Sequence, residues 1–327
     1  MANQAYPFYT ADVFSDRPFG GNPLAVFPVA DSITDDQMLR IAQEFNLSET
    51  VFVQLPRTPR ADRRLRIFTP TGEIPFAGHP TIGAAAVLTL IGEVPATSNE
   101  AMIYLEETVG FIPVKIRVTP NQPVYAELMV SQAPSFEPAP APLEKLAAAA
   151  SLTESDFLDP QQFPPLVGSC GLPFLILPVK DFEVLGRSQL SQSIWQEHLG
   201  NTPGAHLYLI APQNPEDPKT SDQWRVRMYA PALGIREDPA TGSAATVLGG
   251  YLAQYGASST SISTANPNKS VPLKDGEYHW QIEQGIEMDR PSSLSVHTTV
   301  ENQSITAIRV GGHSTLMSKG QFLIPDI

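Results

Sequence analysis

Cysteine is nearly absent. The single Cys170 in 327 residues excludes an intrachain disulfide framework, a paired-thiol mechanism and a thiolate metal site, and a chain so poor in thiols is expected in a reducing, cytoplasmic compartment. Basic residues are also scarce: 21 Lys and Arg stand against 34 Asp and Glu, and a formal charge of -13 argues against nucleic acid or anionic lipid as a partner. Long apolar runs are missing, since the longest, near residues 84–91, falls far short of a bilayer span. The opening MANQAYPFYTADVF lacks the basic start, apolar core and small-residue cleavage site of a signal peptide. What is present is an ordinary globular composition, 42% hydrophobic and 17% charged, on a chain long enough for two units that bury their own cores without metal or disulfide.

Proline is the abundant exception at 32 residues, about double the usual share. Its concentration in residues 134–142 (PSFEPAPAP) reads as an extended, weakly structured connection. That connection sets the domain boundary: an N-terminal lobe of residues 1–130, with a last strand near 315–327 as its candidate completion, and a C-terminal lobe of residues 131–314. Residues 211–222 lack apolar periodicity and read as an exposed hairpin loop. Residues 34–45 predict a helix, with Thr34 as its cap, Asp35 and Asp36 at the positive end of the dipole, and Met38, Ala42 and Phe45 at helical spacing. Strands are predicted at 9–14 and 24–27 around the turn Gly20-Gly21-Asn22-Pro23, at 50–54, and at further short segments from 65 to 229. Glu49 therefore sits at a helix-to-strand junction. The runs 308–312 and 321–324 read as a closing hairpin, and the whole pattern is α+β.

The chain also repeats itself. Arg66-Ile67-Phe68-Thr69-Pro70 recurs as Arg227-Met228-Tyr229-Ala230-Pro231, displaced by 161 residues, and Ala84-Ala85-Ala86-Val87-Leu88 recurs as Ala244-Ala245-Thr246-Val247-Leu248, displaced by 160. Strand, Gly/Pro turn and Ala-rich helix follow in the same order each time, which predicts two halves of similar fold.

Each half sets a glycine-containing turn before that helix: residues 76–83 (FAGHPTIG) and 237–243 (EDPATGS). Unpaired amides at a helix start, reinforced by the macrodipole, bind an anion such as a carboxylate. The plainer reading is two well-capped helices, with Pro80 suited to a first turn and Ser243 to a cap. His79, Glu49 and Asp238 are titratable groups at turns or element ends, where a rigid scaffold presents catalytic groups. If Glu49 begins its strand, it shares a face with Val51 and Val53, and burial raises its carboxyl from about 4.3 toward the range where it both gives and accepts a proton. Each has a plain alternative: Glu49 as a solvated strand-end carboxylate, His79 as a loop hydrogen-bonder, Asp238 as a turn former. Spacing alone does not choose between these readings.

Four blocks together resemble the phenazine biosynthesis PhzF-like family, relatives in fold of diaminopimelate epimerase. They are Asp12-Val13-Phe14 with Gly21-Asn22-Pro23-Leu24-Ala25-Val26, Asn46-Leu47-Ser48-Glu49-Thr50-Val51-Phe52-Val53, Ile67-Phe68-Thr69-Pro70 through Ala77-Gly78-His79-Pro80, and Glu237-Asp238-Pro239-Ala240-Thr241-Gly242-Ser243-Ala244. The resemblance implies two pseudo-symmetric lobes, each a curved mixed sheet around a central helix, with the active site in the cleft between them. It implies a homodimer and no cofactor or metal. The family's characterised isomerase acts on trans-2,3-dihydro-3-hydroxyanthranilate, and the glutamate that moves its proton corresponds to Glu49. By the same resemblance Gly78 and His79 contact substrate, Asp238 is the second catalytic carboxylate, the Gly242 and Ser243 amides face the substrate carboxylate, and Asn22 joins the binding residues. Departures are visible: Pro239 replaces an alanine, Asp289-Arg290-Pro291-Ser292 replaces a glycine-initiated GRPS, and the 134–142 segment is expanded. Cys170 lies far in sequence from both helix-start turns, which disfavours the cysteine-pair chemistry of diaminopimelate epimerase.

Three functions follow as expectations. The first is a cofactor-independent isomerase in which Glu49 shuttles a proton on a small, carboxylate-bearing, perhaps cyclic molecule. The second is an epimerase or racemase working at one carbon, and the third a noncatalytic protein that binds a small ligand in the same fold.

Overall fold

Segments that alternate apolar and polar residues become strands, and two apolar runs without a polar face become buried helices, in the computed structural model, which describes residues 3–94, 99–130, 132–256 and 273–325. The chain divides into two units: Met1–Met129 with Gly311–Ile327, and Val130–Val310.

The first unit holds strands β1 (Asn3–Val13), β2 (Asn22–Phe27), β3 (Thr50–Gln54), β4 (Arg63–Thr69), β5 (Gly72–Ile74), β6 (Glu100–Glu107), β7 (Gly110–Arg117) and β8 (Val124–Val130), with helices α1 (Asp35–Phe45) and α2 (Gly78–Leu90). Pairing is mixed: β2 runs parallel to β3 and β4 parallel to β6, while β1 with β2, β3 with β4, β4 with β5, and β6 through β8 are antiparallel. Helix α2 is buried from Gly78 to Leu88 and packs on β1, β2, β3 and β7, which only a helix of small and apolar residues permits. Helix α1 is amphipathic, placing Met38, Ile41 and Ala42 against Phe27, Phe52 and Phe68.

Local chemistry sets the ends of α1. Thr34 Oγ1 accepts the Gln37 amide at 3.4 Å while Gln37 Oε1 accepts the Thr34 amide at 2.9 Å, a reciprocal capping box. The helix stops at Asn46, whose left-handed φ of 50° turns the chain toward Ser48 and Glu49. Thr34→Ala is expected to cost about 1 kcal/mol in a urea titration, with unchanged secondary structure by circular dichroism.

The second unit holds β9 (Ser135–Pro138), β10 (Leu166–Ser169), β11 (Pro173–Pro178), β12 (Leu207–Pro212), β13 (Gln223–Ala230), β14 (Ile235–Asp238), β15 (Gly276–Gln284) and β16 (Ser292–Glu301), with helices α3 (Leu143–Ala149), α4 (Phe182–Arg187), α5 (Gln192–His198) and α6 (Gly242–Tyr255). Here β11 runs parallel to β12 and β13 parallel to β15, with antiparallel neighbours otherwise. Alternation divides β12 between two faces. Leu207, Leu209 and Ala211 join a core with Leu146 of α3, Leu185 of α4 and Trp195 of α5, and Tyr208 points to the opposite face. Helix α6 packs on β10, β11, β15 and β16 and is buried at every position from Ala244 to Ala253.

The repeat read in the sequence carries side-chain chemistry. Arg66 on β4 makes a two-pronged ion pair with Glu73 on β5 and lies 5.2 Å over the Phe68 ring. Arg227 on β13 does the same with Glu237 on β14 and lies 5.3 Å over the Tyr229 ring. Strand, ion-paired short strand and buried helix thus recur as β4-β5-α2 and β13-β14-α6.

Two readings are corrected. Residues 135–138 are not a loose connection: β9 pairs with β10 from Ser135–Ser169 to Pro138–Leu166, and Phe136 packs directly against Gly168. The C-terminal hairpin is instead one strand, β17 (Ser304–Pro325), whose last part pairs with β1 from Val13–Ser314 to Asn3–Pro325. Gly311 makes no turn there. It admits the Tyr125 ring, since a Cβ at this position would stand 2.5 Å from the tyrosine hydroxyl. Among the described residues, no helix is long and apolar enough to cross a membrane.

Candidate active site

In the first unit, the starts of β2, β3 and α2 bring Asn22, Glu49 and His79 together. The parallel β2–β3 register opposes Ala25 to Thr50, which places Asn22 and Glu49 at the same end of adjacent strands. Glu49 stands just before β3, which begins at Thr50, and its carboxylate lies against His79 at the head of α2. His79 Nε2 lies 3.4 Å from Glu49 Oε2, with the two side chains 7% and 13% exposed. Asn22 Nδ2 donates to His79 Nδ1 at 3.4 Å, and Ser48 Oγ donates to Asn22 Oδ1 at 3.3 Å. An imidazole that accepts at Nδ1 carries its proton on Nε2 when neutral, aimed at the Glu49 carboxylate. Burial pushes the Glu49 carboxyl up to about 7, partly offset by the Ser48 hydroxyl. Asp12, buried on β1, accepts the Phe19 amide at 2.8 Å and ties down the loop that delivers Asn22.

In the second unit, Asp238 closes β14 and is 7% exposed. Thr241 Oγ1 donates to Asp238 Oδ2 at 2.5 Å. Gln284, fully buried at the end of β15, fastens this turn from below: its amide nitrogen donates to the Asp238 carbonyl at 2.8 Å and to Thr241 Oγ1 at 3.0 Å, and its oxygen accepts the Thr241 amide at 3.1 Å. Gly285 follows at φ 74°, where a Cβ would meet the Pro239 carbonyl at 2.7 Å, so only glycine lets the EDPATG turn lie this close. Asp289 also adopts a left-handed φ of 55°. This explains why a glycine-initiated motif tolerates aspartate here, since Asp enters that region more readily than other side chains.

Both long buried helices begin without a side-chain cap. Ala77 precedes α2 and Thr241 precedes α6, and neither side chain bonds its helix start. Gly78 and Gly242 are the first residues of their helices, and Ser243 lies inside the first turn rather than at the cap. Two positive helix ends therefore present backbone amides near Glu49 and His79 in one unit and near Asp238 in the other.

Several polar groups around these turns had little sequence signal of their own. Ser48 was visible within the SET block, but Gln284 and Arg227 are linked to the Asp238 turn only by strand register. Tyr208 belongs to the same set: Tyr208 opposes Met228 and Met228 opposes Asp238, so the three share a sheet face. The phenol is fully buried, its hydroxyl has no partner among the described residues, and burial followed by the Asp238 charge raises its pKa beyond any physiological range. Tyr208→Phe is expected to leave stability unchanged or raise it by up to about 1 kcal/mol, because a buried hydroxyl without a partner costs more than it returns. A clear loss in a urea titration would reveal a bond to that oxygen. Burial pushes the thiol of half-buried Cys170 up to about 11, which disfavours the thiolate at neutral pH.

The chain is similar to known proteins over nearly its whole length. The family described as phenazine biosynthesis-like protein, PhzC-PhzF, matches residues 11–320. The trans-2,3-dihydro-3-hydroxyanthranilate isomerase of Pseudomonas aeruginosa is 30% identical over 318 residues, covering 96% of this chain and 98% of its own. The Bacillus anthracis phenazine biosynthesis protein of the PhzF family superposes with a TM-score of 0.81 at 28% identity, over 98% of this chain and all of the other. A "predicted epimerase" of P. aeruginosa gives a TM-score of 0.74 at 32% identity, over 97% and 99% of the two chains. With the SET, AGHP and EDPATGSA blocks at the heads of β3, α2 and α6, the chain belongs to the PhzF family and is an isomerase of the α+β fold those proteins share.

Proposed function

We propose that this isomerase moves a proton without a cofactor on a small carboxylate-bearing molecule of the trans-2,3-dihydro-3-hydroxyanthranilate type, with Glu49 as the shuttling group. The observation that carries this reading is the buried Glu49, raised to about 7 and 3.4 Å from His79. Shifting a C–H proton requires one group that removes it from the first carbon and returns it to the second, while the electron pair moves through the intervening double bond. Atoms and electrons balance with no co-reactant. A carboxyl titrating near neutrality serves both steps, and such a group is worth about 10²–10⁴ in rate. In this reading the Nε2 proton of His79 stabilises negative charge as it develops, the Gly78, Gly242 and Ser243 amides receive carboxylate or hydroxyl oxygens, Asn22 orients His79, and Asp238, fixed by Thr241 and Gln284, contacts a polar group of the substrate. The lone cysteine supports a cytoplasmic setting, and a homodimer is part of the same proposal.

An epimerase needs two proton carriers on opposite faces of one carbon. Glu49 and His79 touch each other and so serve one face, which favours the single-shuttle isomerase, although the 32% identical "predicted epimerase" keeps the other chemistry in view. The test is incubation with trans-2,3-dihydro-3-hydroxyanthranilate in deuterated buffer, followed by NMR. Isomerisation with solvent deuterium at a new carbon, lost in Glu49→Gln, is the expected result. Inversion at one α-carbon of a supplied amino or hydroxy acid, with no double-bond shift, would replace it by the epimerase reading.

A further inference from the structure

A second buried carboxyl lies in the first unit, against the first turn of the helix that carries Gly78 and His79. Glu107 ends β6 on the same inward face as Ile103 and Leu105, and it is 5% exposed. No cation pairs with it among the described residues, and its Oε2 finds no hydrogen-bond partner there. Among the described residues its only polar contact is at Oε1, 2.6 Å from Thr81 Oγ1. Thr81 is fully buried, and the same hydroxyl oxygen lies 2.7 Å from the Ala77 carbonyl oxygen.

Proton counting makes this cluster informative. A hydroxyl has one hydrogen and donates one bond at a time. If Thr81 donates to the carbonyl of Ala77, which can only accept, then the short contact to Glu107 requires the hydrogen to come from the carboxyl. A lone carboxylate in an apolar face, with one hydroxyl for company, is the costly alternative, whereas a neutral acid satisfies both contacts in a single chain. Burial acts in the same direction, raising this carboxyl to about 8. The Ala77 carbonyl also accepts the Thr81 backbone amide at 3.2 Å, and it shares one planar peptide group with the Gly78 amide, so the shorter hydroxyl bond adds a second hold on the direction of that amide.

We propose that Glu107 is a positioning residue, a neutral carboxylic acid that donates to Thr81, which donates to the Ala77 carbonyl and so holds the Ala77–Gly78 peptide and the His79 that follows in their working orientation. The functional importance of that orientation rests on the reading of Gly78 and His79 as substrate-facing, but the cluster itself is tested without substrate.

The experiment has two arms. Infrared difference spectra at pH 7 compare Glu49→Gln with Glu49→Gln/Glu107→Gln, so that Glu49 contributes nothing. Loss of the carbonyl stretch of a protonated carboxylic acid is expected, and loss of carboxylate bands instead would overturn the proposal. In the second arm, amide NMR follows Gly78 and His79. Glu107→Gln, whose side-chain amide still donates to Thr81, is expected to leave both resonances in place, whereas Thr81→Val is expected to move them and to lower kcat/KM by about tenfold or more with a smaller change in KM, as a misdirected donor does. Unmoved resonances in a folded Thr81→Val protein would overturn the positioning role. The infrared arm does not depend on the Thr81→Val protein folding. If the wild type fails to turn over trans-2,3-dihydro-3-hydroxyanthranilate, the substrate reading falls while both spectroscopic results stand.

Discussion

Arg227→Met is expected to destabilise the protein by about 3–5 kcal/mol, read as a large fall in the urea midpoint with little change in slope. The size follows from what the guanidinium holds. It is 8% exposed, donates to both oxygens of Glu237 at 2.8 Å, and donates to the carbonyls of Gly186 at 3.1 Å and Ser188 at 2.8 Å at the end of α4. Methionine keeps much of the volume but leaves Glu237, its side chain only 14% exposed, without this counter-ion and strips donors from the end of a helix. The related Arg66 provides the control. It makes the same two-pronged pair with Glu73, yet Glu73 is 33% exposed and its second partner Asp35 is 81% exposed, so water replaces what Arg66→Met removes. A loss of about 1 kcal/mol is expected there. Equal losses for the two variants would show that burial is not what separates them. Because Glu237 adjoins Asp238, Arg227→Met is also expected to loosen the Thr241–Gln284 clasp.

Glu49→Gln is expected to reduce turnover by about 10²–10⁴ while making the protein more stable above neutral pH. The two effects have one cause. A carboxyl whose folded pKa is raised, here from 4.5 to about 7, adds no penalty below its unfolded value and costs stability as pH rises toward and through the folded one. Wild type should therefore lose stability between about pH 4.5 and 7 through this group, and Glu107, raised to about 8, extends the same loss upward. Glutamine is neutral throughout, so Glu49→Gln should reduce that slope up to about pH 7, and Glu107→Gln should reduce it over the whole range up to about pH 8. Urea midpoints measured from pH 5 to 9 on the three proteins check this. A Glu49→Gln protein less stable than wild type at pH 8 would mean that the native carboxylate is well solvated or well paired.

Much of this was legible wherever the determinant is local. The Thr34 cap, the Asp35–Asp36 start and the apolar spacing of residues 38, 42 and 45 define α1 without reference to anything distant. The 161-residue repeat announced a strand, a Gly/Pro turn and an Ala-rich helix in each half, which are β4 with α2 and β13 with α6, but not the short strands β5 and β14 or the matching arginine–glutamate pairs they carry. Other features depend on register. Thr81 and Glu107 are 26 residues apart in sequence, and Gln284 is 43 residues from Thr241, so no spacing rule joins either pair. The C-terminus is a case of the same kind: two runs read as a hairpin are one strand, in which Gly311 leaves room for Tyr125, a residue far earlier in the chain. Proline misled in residues 134–142 because its composition signals extension, and extended backbone is also what β9 needs to pair with β10.

The central claim is that Glu49 is poised to give and take a proton near neutral pH, and it is tested most directly by titrating the Glu49 side-chain carboxyl carbon by NMR, assigned by its loss in Glu49→Gln. A midpoint close to 7 is the expected result. A midpoint near 4.5 would make Glu49 a permanent carboxylate at working pH and contradict its role as the group that both removes and returns the proton.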